Sequence, residues 1–124
     1  MVLYVDVSWL LDVQERAALD EMTVADYSGL VAAVARHRTR TPTLEASDPD
    51  ASWRAAALLH TIVRLEPLPF RNSLFAAVIA AQYLHDSGEG IDPPYGALPD
   101  LVRKVREERM SVYAVAGQLR AWRV

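Results

Sequence analysis

Apolar residues recur along this chain at steps of three and four, so the pattern predicts helices almost throughout. Ser8 is placed to cap a first helix carrying Trp9, Leu10, Leu11 and Val13, which fades near Leu19. Thr23 and Asp26 have the spacing of a capping box, with aspartate where glutamate is usual. Behind them Val24, Tyr27, Leu30, Val31 and Val34 form one stripe that runs into the basic stretch Arg36-His37-Arg38-Thr39-Arg40. The aperiodic segment from Thr39 to Ser47, interrupted by Pro42, reads as a surface loop or flap. Asp48-Pro49 then opens a third helix, the aspartate capping and the proline sitting where its missing N–H costs nothing. Trp53, Ala56, Leu59, Ile62 and Val63 supply its buried face, and Pro67 and Pro69 end it.

Asn72 is placed to cap a fourth helix, apolar on every side from Leu74 to Ala81, which predicts a helix enclosed by the others. Gly88 and Gly90 stop it, and Asp92-Pro93-Pro94 makes a stiff connection. Pro99 opens a fifth helix with Leu101, Val102 and Val105 inward. Ser111 caps a sixth, with Val112, Val115, Ala116, Leu119 and Trp122 on one face. Leu3 to Val5 alone has strand character, and one short run makes no sheet. The expectation is an all-α fold, a compact bundle of about six helices around a buried central helix, the fourth.

Composition narrows the class. A chain of 124 residues, 52% hydrophobic and 23% charged, has the size and balance of one globular domain, so residues 1–124 read as a single unit. Without cysteine there is no disulfide, thiolate metal site or cysteine nucleophile, which suits a reducing compartment. The N-terminal residues lack the basic flank and apolar run of a signal peptide, and no apolar stretch reaches the roughly 20 residues of a membrane span. The expected location is the cytoplasm. A net charge of −3 offers nucleic acid no general attraction, so direct DNA binding is not expected; Arg36, Arg38 and Arg40 read as a solvated helix end.

Candidate chemistry is sparse. His37, His60 and His85 lie far apart with no metal-ligand spacing, which favours structural or surface roles and no metal site. The informative stretch is Leu65-Glu66-Pro67-Leu68-Pro69-Phe70-Arg71-Asn72-Ser73-Leu74-Phe75, where one helix stops, two prolines stiffen a turn and an apolar helix begins. The unpaired amides of a helix start and its partial positive charge suit an anion. On one reading Arg71, Asn72 and Ser73 form a phosphate or carboxylate seat; on the other, Asn72 only caps and Arg64 and Arg71 only face water.

From about Ala55 to Trp122 the order of elements resembles the Fic/Doc family, in particular the short Doc-type toxins of bacterial toxin–antitoxin pairs. That family carries H-x-F-x-[DN]-[AG]-N-[GK]-R between a helix end and the start of a central helix. With Asn72 on the motif asparagine, Glu66 stands at the catalytic histidine and Leu68 at the phenylalanine. Phe70 then stands at the acidic or amide residue, Arg71 at the small residue, Ser73 at the glycine or lysine and Leu74 at the final arginine. Family members transfer AMP or, in Doc, phosphate from a nucleotide to a protein, with the histidine as base and the loop amides and basic residues on the phosphates. The resemblance thus implies a toxin-like component paired with a Phd-like antitoxin, its transferase activity lost or altered, acting through protein binding. The alternative it leaves open is an active transferase using ATP, with Glu66 as the base in place of histidine.

Overall fold

Among the described residues, four of the six helices begin on a side chain that accepts from their own first-turn amides. The computed structural model describes residues 2–17, 19, 23–39 and 49–124. Among these the fold is all-helical: α1 (Val7–Arg16), α2 (Tyr27–His37), α3 (Ala51–Leu65), α4 (Asn72–Asp86), α5 (Ala97–Glu108) and α6 (Val112–Ala121). No described helix is long and apolar enough to cross a membrane.

The caps are mostly aspartates, and three fall on residues other than those expected. Asp6, not Ser8, caps α1, accepting from the Trp9 N–H at 2.9 Å. Asp26 caps α2 alone, accepting from the Ser28 N–H at 3.0 Å, without a capping box to Thr23. Asp50 caps α3, accepting from the Trp53 N–H at 2.8 Å; Asp48 and the expected flap from residue 40 to Ser47 lie outside the described residues. A carboxylate both pairs an orphan amide and meets the positive end of the helix dipole, so it outcompetes a neighbouring hydroxyl. Ser111 caps α6 as expected. α5 starts after Gly96, whose φ of 79° suits glycine, and Pro99 sits at its third position, where an N–H would still be unpaired.

α4 ends in a Schellman closure at Gly88: the Gly88 N–H donates to the His85 carbonyl at 3.0 Å and the Glu89 N–H to the Leu84 carbonyl at 2.9 Å.

The enclosed helix is α3, not α4. α2, α4, α5 and α6 all pack on it, and Ala55 through Leu59 have no exposed surface. Its run of alanines lets neighbours approach on several sides, while Ser52, Arg54 and Thr61, all buried, gave it the look of an amphipathic helix. α4 buries Phe75, Ala76, Ile79, Ala80, Tyr83 and Leu84, but Leu74 is 44% exposed and Val78 and Ala81 are half-buried. The outer side of α4 carries Ser73, Leu74, Ala77, Val78, Ala81, Gln82 and His85, a mixture of small, polar and apolar residues of which the apolar ones are only partly covered.

The expected α2 stripe also turns. Gly29, Leu30, Ala33 and His37 face inward, while Tyr27 and Val31 are exposed. Gly29 permits the close approach of α2 to the α3–α4 turn: a Cβ there would meet the Pro67 Cβ at 3.1 Å.

The basic end of α2 is not simply solvated. Arg38 donates to the Val5 carbonyl through Nε at 3.2 Å and Nη2 at 3.0 Å, and Arg36 turns inward onto α3; Arg40 lies outside the described residues. Leu3 to Val5 join no strand. They are pinned by side chains instead: Tyr83 donates to the Leu3 carbonyl at 2.6 Å, and the Val5 N–H donates to His37 Nε2 at 3.0 Å. The side chain of buried Arg54 lies 5.0 Å from the Tyr4 ring and also donates to the His37 carbonyl.

Candidate functional site at the α3–α4 turn

The turn between α3 and α4 is held from three directions. Leu68, 2% exposed, anchors it in the core. The Pro67 carbonyl accepts from the Ala25 and Asp26 amides at 2.8 and 3.1 Å, which ties the turn to the start of α2. Asn72 does not cap α4. It turns back on the turn, its Oδ1 accepting from the Leu68 N–H and its Nδ2 donating to the Leu68 carbonyl, both at 2.9 Å. An amide side chain presents a donor and an acceptor side by side, so it pairs with one residue's backbone as a neighbouring strand would.

The ends of the turn are Glu66, with φ 47°, and Arg71, with φ 62°. Each sits in the left-handed region that side chains other than glycine enter at a cost of about 1–3 kcal/mol. Arg71 precedes the first residue of α4, and no side chain caps that helix. Its first amides are therefore left toward solvent with the positive end of the dipole.

The three residues of the expected anion seat share this helix start, in altered roles. Arg71 is exposed at its mouth, Asn72 is committed to Leu68, and Ser73 Oγ accepts from Arg106 Nη1 on α5 at 2.8 Å. Arg106 thus brings a second guanidinium beside the site, a contact that no local sequence pattern marks because it spans 33 residues. Glu66 is exposed, and among the described residues its carboxylate makes no hydrogen bond or ion pair. Phe70 and Leu74 are 60% and 44% exposed, and Leu65 is exposed at the end of α3. Chemically, the turn offers amides and the Arg71 guanidinium for one oxyanion, with Arg106, already held by Ser73 and Glu107, beside them and apolar side chains in water.

The histidines lie elsewhere. Among the described residues no three histidine or acidic side chains gather as metal ligands. His37 has no exposed surface. Because its Nε2 accepts from the Val5 N–H, its proton sits on Nδ1, which donates to the Val34 carbonyl. Burial pushes its pKa down to about 4; the Val34 contact opposes this, and the charges of Arg38 and Arg54 add to it. His60 on α3 is half-buried, Nδ1 accepting from Arg36 Nη1 at 2.9 Å and Nε2 donating to the Met110 carbonyl at 3.1 Å. Burial, then Arg36, lowers its pKa. His85 is exposed.

No protein-family model and no curated protein sequence matches the chain.

Proposed function

We propose that this protein is a toxin-like component of a toxin–antitoxin pair, Fic/Doc-like in architecture, cytoplasmic, with the transferase chemistry lost and protein binding as its mode of action. The observation that carries this reading is which motif position survives. Asn72, the one residue that matches, holds the backbone of the turn through Leu68. Arg71, at the position where the family pattern has alanine or glycine, adopts the left-handed conformation that glycine favours. The framework residue and the backbone conformation are consistent with the pattern, whereas the positions that would carry chemistry have changed.

Those positions now favour binding over transfer. At the base position, Glu66 places a negative charge near the path of a polyphosphate and has no group against it to orient a proton transfer. Phe70 offers no oxygen to a metal ion, and Leu74 no charge to a phosphate. Exposed phenylalanine and leucine beside a stiff turn are what a partner's apolar side chains would cover. A Phd-like antitoxin helix, with apolar anchors at helical spacing, fits such a surface.

Two experiments test this. Wild type, Glu66→Ala and Glu66→His are incubated with labelled ATP and a cell lysate, and no label is expected in protein from wild type. Labelling by wild type that Glu66→Ala abolishes would establish the rival reading, an ATP-dependent transferase with Glu66 as base. Separately, the product of the adjacent reading frame, added in excess, should raise the thermal midpoint by mass action. An unchanged midpoint would remove the pairing.

A further inference from the structure

On the face beside the α3–α4 turn, α2 and α3 bring cationic side chains together, and the residue that follows α5 lies near them. Arg36 of α2 reaches across to α3, donating to His60 Nδ1 at 2.9 Å and to Thr61 Oγ1 at 3.3 Å. Arg64, one turn further along α3 and exposed, is close enough to act on His60 electrostatically. His60 in turn holds the Met110 carbonyl at 3.1 Å, which places exposed Arg109, the residue before it, at the same end of the fold. Tyr113 of α6 interacts electrostatically with Arg36.

Among the described residues no carboxylate pairs with these cations; the ion pairs there involve Arg103, Lys104, Arg106, Arg120 and Arg123. The chain as a whole carries −3, so this cluster is cationic against the overall sign. Screening limits the repulsion from distant carboxylates to about 8–10 Å at physiological salt, which leaves the local field to decide what docks. The cluster borders an apolar flank, because Leu65 follows Arg64 directly and is 47% exposed.

Building on the partner-binding reading above, we propose that the surface of Arg36, His60, Arg64 and Arg109 receives an acidic segment of the partner protein. Its carboxylates lie on the guanidinium groups, and an apolar side chain lies on Leu65. Arg36 is oriented in advance by His60 and Thr61, so little freedom is lost when a carboxylate arrives. His60 stays neutral while it accepts from Arg36, and it acts as a positioning residue.

The probe is a helical peptide with glutamates along one face and leucines on the other, compared with its glutamine analogue, and the readout is the histidine ring resonances by NMR. The glutamate peptide should shift His60 saturably and raise its titration midpoint, since a nearby carboxylate favours the cation. His85, on another helix, should not respond. Arg36→Gln with Arg64→Gln should weaken binding about tenfold, and Arg64→Gln alone, at an exposed site, guards against a folding defect. Absence of a saturable shift, or an equal response to the glutamine peptide, overturns the proposal. If the adjacent-frame product binds wild type and Arg64→Gln equally, this surface is wrong while the pairing stands. If that product does not bind at all, the pairing fails and the peptide comparison still decides the surface.

Discussion

Replacing His37 by phenylalanine should change how stability depends on pH, in a direction the structure fixes. In the folded protein the imidazole is fully buried, and its unprotonated Nε2 accepts from the Val5 N–H. Its pKa lies at about 4, against 6.5 for the free side chain. Between these values the unfolded chain binds the proton and the folded chain does not, so folding weakens as the pH falls from about 6.5 and the loss is complete below about 4. At about 1.4 kcal/mol per pH unit, with some allowance for relaxation, the loss is about 2–3 kcal/mol. Phenylalanine retains the ring contacts with Tyr4 and Tyr83 but leaves the Val5 N–H without its acceptor, so the variant starts about 1–3 kcal/mol lower at pH 7. It has no proton to gain. Urea unfolding followed by circular dichroism at several pH values should therefore show the two stabilities converging toward pH 4. His60 and the carboxylates titrate in both proteins and cancel in the difference. Two parallel curves would refute the reasoning and place the acid sensitivity elsewhere.

The turn and the core give simpler tests. Asn72→Ala removes both bonds to Leu68 and should cost about 1–3 kcal/mol in urea unfolding. Asn72→Asp keeps only the acceptor half and should recover part of that; a variant as stable as wild type would mean the strut is unimportant. Ile79→Asp would bury an unpaired charge where no surface is exposed and should prevent folding, a loss of several kcal/mol. Val78→Asp, at the half-buried adjacent position, should remain soluble and helical by circular dichroism, and its failure to fold would contradict the orientation of α4.

The all-helical class was legible in the sequence because a 3.6-residue apolar period is a local property, readable without knowing any neighbour. For the same reason Ser111 and Gly88 were correctly placed, since a cap hydroxyl and a left-handed stop act within a few residues. Where two capping residues stood close together, the choice between Ser8 and Asp6 depended on which start the whole helix preferred, and the pattern pointed to the wrong one. Asn72 shows the limit most clearly. Its sequence position fits a cap, but the fold brings the Leu68 backbone within reach, and two bonds to one residue outweigh one bond to a helix amide.

Only the tertiary structure decided which helix is enclosed and where the cations gather. Enclosure is a relation between helices: α3 carries buried polar residues yet has neighbours on several sides, while α4 is apolar yet leaves Leu74 in water. The Arg36–His60 contact joins residues 24 apart, and Arg106 meets Ser73 across 33. No local period encodes such pairs, because they arise from how α2 and α5 pack against the α3–α4 hairpin. The sequence by itself determined the helices and the two-proline turn between α3 and α4. Packing determined that Asn72 is a strut for that turn and that Arg36 is drawn across onto His60 and Thr61 of α3.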